Sequence, residues 1–237
     1  MSNYVLITGG SRNIGGAIAK RLSEDGLRVV VVDRIQPEHE YAEKFIEVDL
    51  ADAIATENKI IEFTATHSVL RLVNNAGIVM PSAIEDTELD SIEKVVSINL
   101  TAPILCAKAV IPAMKKAGIG RIVNISSRAA LGKEMRTVYS MTKAGLHGLT
   151  KTWALELGRH GITVNAVGPG PIRTSLFEEV NPPDDPRTKS IIERVPVGRL
   201  GTPDDVANAV SFFASEKSGF VTGQVLYICG GMTIGSV

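Results

Sequence analysis

Tyr139 and Lys143, four residues apart in Tyr139-Ser140-Met141-Thr142-Lys143, are the pair in this chain best suited to acid/base chemistry. On a helix that spacing places a phenol and an ammonium on one face, one turn from each other. An adjacent positive charge favours the ionised form of an acid, so Lys143 is expected to lower the Tyr139 phenol from about 10 toward working pH. A phenol tuned in that way can give or take a proton as a general acid/base. The pair Ser126-Ser127 precedes Tyr139 by thirteen and twelve residues. Alone, a Tyr-x-x-x-Lys spacing also describes many solvated helix faces, so the surrounding elements must decide.

Those elements alternate. Apolar, β-branched runs at residues 4–7, 28–32, 44–48, 70–73, 121–125, 162–167 and 224–228 read as strands. Helical patterns lie between them at 14–24, 53–66, 89–99, 101–117, 137–158 and 203–214, with Pro103 and Pro112 expected to bend the fourth. Near-continuous Val/Ile/Leu strands separated by helices indicate a parallel sheet covered on both faces. The expectation is an α/β fold of one domain over residues 1–237, a Rossmann-like doubly wound sheet of about seven parallel strands. Ligands of such sheets bind outside the carboxyl ends of the strands.

The first strand end is followed by Thr8-Gly9-Gly10-Ser11-Arg12-Asn13-Ile14-Gly15-Gly16, which opens a helix. Glycines allow a tight turn there and let backbone N–H groups approach a diphosphate at the helix N-terminus. Asp33 closes the second strand eighteen residues after Gly15, where a carboxylate can accept both ribose hydroxyls of an adenosine. A bound dinucleotide is therefore expected.

Composition narrows the partners. The 237 residues are 44% hydrophobic and 22% charged, with a net charge of −1 and no block of like charges. No basic excess favours nucleic acid or a membrane surface, and no apolar run is expected to reach the length of a membrane span. Cys106 and Cys229 are too few for a disulfide framework and lack metal-ligand spacing, so no metal is expected. The strand-like run begins at once, leaving no room for a signal peptide, and a cytoplasmic location is the expectation.

With these residues in place, the chain resembles the short-chain dehydrogenase/reductase family over nearly its whole length. Residues 8–15 resemble its T-G-x-x-x-G-x-G turn, Asn74-Asn75-Ala76-Gly77 its N-N-A-G, and Tyr139 to Lys143 its Y-x-x-x-K. Asn99 in Ser97-Ile98-Asn99-Leu100 resembles the catalytic asparagine, and Ser127 in Asn124-Ile125-Ser126-Ser127 the catalytic serine. Residues 165–174 resemble the segment that clasps the nicotinamide end, while 197–203 and Thr222-Gly223 resemble the C-terminal markers.

The resemblance implies an oxidoreductase that moves a hydride between a nicotinamide cofactor and a secondary alcohol or ketone. Tyr139 would exchange the proton, Lys143 would tune it and hold the nicotinamide ribose, and Ser127 would polarise the substrate oxygen. Asn99 would hold a water that relays protons from Lys143, and Ser126 would satisfy nearby backbone. Cofactor contacts are implied at Gly9, Ser11, Arg12, Asn13, Ile14, Gly15, Asp33, Arg34, Asp49, Leu50, Asn75, Ala76, Gly77, Pro169, Gly170, Ile172 and Thr174, besides Tyr139 and Lys143. A homotetramer is implied, with the long helices at 101–117 and 137–158 packed across a two-fold axis.

Departures from the family pattern fall at three places. Asn13 stands where the second glycine is usual, and asparagine tolerates the left-handed backbone that the turn needs. Its side chain would narrow the space beside the diphosphate. The segment between Asp33 and Asp49 is short, which leaves little room for the usual helix. Cys229 precedes Gly230-Gly231 where an aspartate is common.

NAD is expected over NADP, because Asp33 repels a 2′-phosphate more than Arg12 or Arg34 repays, exposed ion pairs giving only about 0–1 kcal/mol. Val79, Ala129, Leu131, Met135, Gly170 and residues 175–195 are expected to line the substrate pocket. Within them the turn-forming run Asn181-Pro182-Pro183-Asp184-Asp185-Pro186 reads as part of a mobile loop at about 175–197. Arg136 and Arg173 could bind a carboxylate or phosphate, or be solvated, and Trp153 is expected in the core. The alternatives are an NADPH-dependent 3-oxoacyl carrier-protein reductase and, in another class, a non-catalytic dinucleotide sensor or scaffold.

Overall fold

The structure is a computed structural model that describes residues 4–37, 40–182 and 184–234. Seven strands form one sheet: β1 (Tyr4–Thr8), β2 (Arg28–Asp33), β3 (Lys44–Glu47), β4 (Val69–Asn74), β5 (Gly120–Ile125), β6 (Ile162–Pro169) and β7 (Val225–Ile228). Their spatial order is β3-β2-β1-β4-β5-β6-β7, and every pairing is parallel. The strand order therefore reverses between β1 and β4, which opens a crevice at their carboxyl ends.

Alternation along β1 separates two cores. Tyr4 and Leu6 face one cluster with Ile60, Cys106, Val110, Met114 and Leu157, which come from α2 (Ala53–Thr66), α4 (Ala102–Ala117) and α5 (Thr137–Leu157). Val5 and Ile7 face the other cluster with Ile18 and Leu22 of α1 (Asn13–Glu24) and Val206, Val210 and Phe213 of α8 (Pro203–Ala214). A strand buried on both faces must be apolar at every position, which accounts for the continuous runs. Trp153 packs against the first cluster.

The register brings the chemistry to one rim. Thr8 pairs with Asn74, and Asn74 with Asn124, so the residues that follow β1, β4 and β5 emerge side by side. Asn74 Nδ2 donates to Asn124 Oδ1 at 2.8 Å, and Asn124 Nδ2 donates to Thr150 Oγ1 of α5 at 2.9 Å. These buried bonds tie α5 to the sheet beneath the site.

Two stretches differ from the sequence expectation. The helices expected at 89–99 and 101–117 form one continuous helix, Leu89–Ala117, long and apolar enough by length and composition to cross a membrane. A helix that covers a sheet meets the same criterion, and its α4 part is packed into the first core. Its middle, Ser97–Thr101, is wound as a π-helix between α3 (Leu89–Val96) and α4, and the helix continues through Pro112. The expected mobile loop contains two short helices, α6 (Ser175–Val180) and α7 (Pro186–Glu193), capped by Thr174 and Asp185. Pro183, in the turn-forming run, lies outside the described residues.

Candidate active site

The glycine turn after β1 is built around Thr8. Its buried hydroxyl accepts the N–H groups of Asn75 at 3.0 Å and Ala76 at 3.1 Å. Asn75 Nδ2 in turn donates to the carbonyls of Thr8 at 3.1 Å and Gly9 at 2.8 Å. Gly9 has a φ of +63°, and a Cβ on it would lie 2.9 Å from Ala76 Cα. A Cβ on Gly15 would lie 1.9 Å from the Gly9 carbonyl oxygen. This close cradle fits a diphosphate: α1 carries no side-chain cap and no acid in its first turn, so its leading N–H groups are available to an anion.

Asp33 ends β2 with its carboxylate fixed by the backbone. Oδ2 accepts Ser11 N–H at 3.2 Å, and Oδ1 accepts the N–H groups of Arg34 at 2.7 Å and Ile35 at 3.3 Å. Arg12 and Arg34 are exposed and enter no ion pair among the described residues. Asp49 is exposed and caps its own turn through Ala51 N–H at 2.9 Å. Leu50, also expected at the cofactor, has its side chain buried in the first core. At the other end, Gly170 packs on Cys229, Ile172 is buried and Thr174 caps α6.

Lys143, Asn99 and Gly77 meet beneath this rim. Lys143 is buried, and its Nζ donates to the Ile125 carbonyl at 2.7 Å. A Cβ on Gly77 would lie 3.0 Å from that Nζ and 3.3 Å from Asn99 Oδ1. Burial holds the Lys143 ammonium down to about 8. Nζ sits 5.7 Å from the Tyr139 ring centroid. Burial pushes the Tyr139 phenol up, while Ser127 and the Arg136 charge pull it part of the way back. The expected lowering by Lys143 is therefore not what governs Tyr139 here, since the ammonium is itself desolvated and turned to a carbonyl.

The two serines separate clearly. Ser126 is buried and donates to the Lys143 carbonyl at 2.8 Å, with His147 Nε2 2.7 Å away. One hydroxyl proton cannot serve both, so His147 donates to Ser126. Ser127 accepts Ala129 N–H at 3.1 Å, which leaves its own O–H to donate outward, on the Tyr139 side.

Asn99 is wholly buried in the π-wound turn. Its Oδ1 accepts Ile78 N–H at 2.9 Å, and Nδ2 donates to the Ile78 carbonyl at 3.0 Å and Thr142 Oγ1 at 3.1 Å. With the side chain engaged, the main-chain carbonyl is the polar group that Asn99 has left, and Pro103, four residues on, brings it no N–H. Thr142 completes the link by donating to the Tyr139 carbonyl at 2.9 Å. Thr8 and Thr142 were missed as positioning residues. The only sequence signal for them was their place inside the two motifs.

Other expected residues lie apart. Arg173 pairs with Glu178 at 3.8 Å. Leu131 and Met135 are exposed at the mouth, and the 78–87 loop is joined to it by Ser82 N–H donating to the Met135 carbonyl at 3.2 Å. A hollow of about 380 Å³ behind the rim is lined by Pro171, Val195, Arg199, Asn208, Tyr227, Cys229 and neighbours, without Ser127, Tyr139 or Lys143. Burial raises the Cys229 thiol, but the Thr233 hydroxyl and the N–H groups of Thr233, Gly231 and Met232 outweigh it and hold it below its ordinary value. A cup of donors that suits a carboxylate explains how Cys229 is accommodated there.

The family model described as enoyl-(acyl carrier protein) reductase matches residues 9–233. The chain belongs to the short-chain dehydrogenase/reductase family. Like other dehydrogenases and reductases of this family, it is an NAD(P)-dependent oxidoreductase, and its Rossmann-like sheet is the family's fold. The (2S)-((R)-hydroxy(phenyl)methyl)succinyl-CoA dehydrogenase subunit BbsD of Thauera aromatica is 39% identical, over 98% of this chain and 97% of that protein. The 3-oxoacyl-acyl-carrier-protein reductase FabG of Buchnera aphidicola is 37% identical over 96% of each. Among solved structures, a gluconate 5-dehydrogenase from Burkholderia cenocepacia in complex with NADP and tartrate superposes with a TM-score of 0.89. It is 32% identical and covers 99% of this chain and 96% of its own.

Proposed function

We propose that this short-chain dehydrogenase/reductase interconverts a secondary alcohol and its ketone with NAD(H), using Tyr139 as the acid/base. The observation that carries the reading is the convergence of Ser127, Tyr139, Lys143 and Asn99 beside a glycine cradle that a Cβ would fill. A bound nicotinamide supplies the hydride in reduction and takes it in oxidation. Tyr139 Oη gives its proton to the ketone oxygen as the alcohol forms, and takes it back in the reverse direction. Ser127 turns the O–H that faces Tyr139 to the same oxygen and so stabilises the developing charge. Lys143 holds the ribose and keeps a positive charge beneath Tyr139. Protons return to Tyr139 through a water at the Asn99 carbonyl.

NAD is the preferred cofactor on this reading, although the gluconate 5-dehydrogenase neighbour carries NADP. Three backbone N–H groups fix the Asp33 carboxylate, so it cannot swing away from a 2′-phosphate. Arg12 and Arg34 are exposed, and their return is at most about 1 kcal/mol. The expected kcat/KM is higher with NADH than with NADPH, and Asp33→Asn should narrow or reverse that ratio. A strong wild-type preference for NADPH would refute the assignment.

A second reading, a β-oxoacyl thioester as substrate, is favoured by the mouth. Lys133 is exposed, yet partial desolvation and then repulsion from Arg136 and Arg128 hold it below its ordinary value. No carboxylate pairs with these three cations among the described residues, which suits an anionic substrate arm such as the phosphates of coenzyme A or a phosphopantetheine. BbsD is named for a hydroxyacyl-CoA and FabG for a 3-oxoacyl carrier protein. A panel of plain secondary alcohols, ketones and β-oxoacyl thioesters with both cofactors distinguishes the two. Binding of NADH with no turnover across that panel would favour a sensor instead.

A further inference from the structure

The glycine turn and the segment after β6 are joined by one side chain. Asn13, the first residue of α1, has a φ of +52°, in the left-handed region. Its Oδ1 accepts Ser175 N–H at 3.1 Å and Ser175 Oγ at 3.2 Å. Because Ser175 N–H can only donate, the atom that faces it must be the amide oxygen. The Asn13 Nδ2 group has no protein acceptor among the described residues and keeps its donors for a ligand.

Ser175 opens α6 directly after Thr174. Behind it, residues 171–173 are fixed to the body, since Arg173 N–H donates to the Gly201 carbonyl at 2.8 Å and Gly201 N–H to the Pro171 carbonyl at 3.0 Å. Ahead of it, Glu178, Glu179 and Val180 are exposed and add little packing. The Asn13 bonds thus tie the start of α6 to the opposite wall of the cofactor groove.

We propose that Asn13 and Ser175 form a strap across the diphosphate groove, making them positioning residues that hold the nicotinamide-clasping segment in place and slow cofactor release. The proposal rests on the dinucleotide reading above. Glycine at position 13 would keep the left-handed turn at no steric cost but would leave α6 untied.

The test compares wild type with Asn13→Gly, Asn13→Asp and Ser175→Ala. NADH release is followed by stopped-flow fluorescence, and amide hydrogen exchange is measured across residues 175–180 in the protein without cofactor. Asn13→Gly should release NADH about 5- to 30-fold faster, as expected for one or two lost hydrogen bonds, and should exchange faster at α6. Ser175→Ala keeps the backbone donor and should show a smaller effect. Asn13→Asp keeps an acceptor, so α6 should stay protected, while its charge beside a diphosphate should weaken NADH binding. Wild-type release and exchange rates in Asn13→Gly, with NADH binding intact, would overturn the strap alone. Failure of the wild type to bind either NADH or NADPH would instead overturn the dinucleotide reading.

Discussion

Lys143 is the residue on which the site's electrostatics turn. Its ammonium is buried with the Ile125 carbonyl as partner, and burial lowers it from 10.5 to about 8. Between those values the unfolded chain binds a proton that the folded chain does not, so stability rises with pH across that window. Below about 8 the group is charged in both states and folding carries the full desolvation penalty. Relative to Lys143→Met, the wild type should therefore gain stability from pH 8 to 10.5, approaching roughly 3 kcal/mol, in urea midpoints measured at each pH. A flat difference would mean that the ammonium is not desolvated. The Tyr139–Lys143 spacing makes the pair visible in the sequence, and Ser127 is visible there through the resemblance of Asn124-Ile125-Ser126-Ser127 to the family's serine segment. The electrostatics were not visible. Whether an adjacent lysine lowers a tyrosine depends on where its Nζ points, and that is set by Ile125 and Gly77 in three dimensions.

At the scale of elements, the π-wound Ser97–Thr101 turn and the first turns of α5 are one unit. Asn99 Nδ2 reaches Thr142, and Thr142 reaches the Tyr139 carbonyl, so the turn that presents Asn99 also steadies the helix that presents Tyr139. Widened turns of this kind recur at functional sites. Thr142→Val keeps the shape but leaves one buried Asn99 N–H without that partner. It should cost about 1–3 kcal/mol of stability in chemical denaturation and lower kcat as well. Unchanged values of both would show that the link is incidental. Strands and long helices were legible because apolar period and length specify them. The π turn was not, because one inserted residue barely disturbs an apolar pattern of nearly 3.6. Residues 175–193 read as loop because proline and aspartate are turn formers, yet Thr174 and Asp185 use that same chemistry to cap helices.

Across the whole molecule, burial of β1 on both faces leaves function to the strand ends, where the polar residues Thr8, Asp33, Asn74 and Asn124 accumulate. The outer faces carry another signal. Leu155 on α5 is 86% exposed, and Met141 on α5 and Ile104 on α4 are also exposed. Apolar side chains on the two longest helices suit the tetramer that the family resemblance implies, in which they would be buried across a two-fold axis. Native mass should lie near four times the 25.3 kDa chain, and Leu155→Glu should reduce it. A monomeric wild type would remove the proposal.

The central claim is that Tyr139 carries the proton. Its most direct test is NADH-dependent reduction of a turned-over ketone by wild type and Tyr139→Phe, with NADH binding measured on both proteins. NADH should still bind to Tyr139→Phe while kcat falls by about 10²- to 10⁴-fold, the range usual for loss of a general acid. Turnover in Tyr139→Phe close to that of wild type would contradict it.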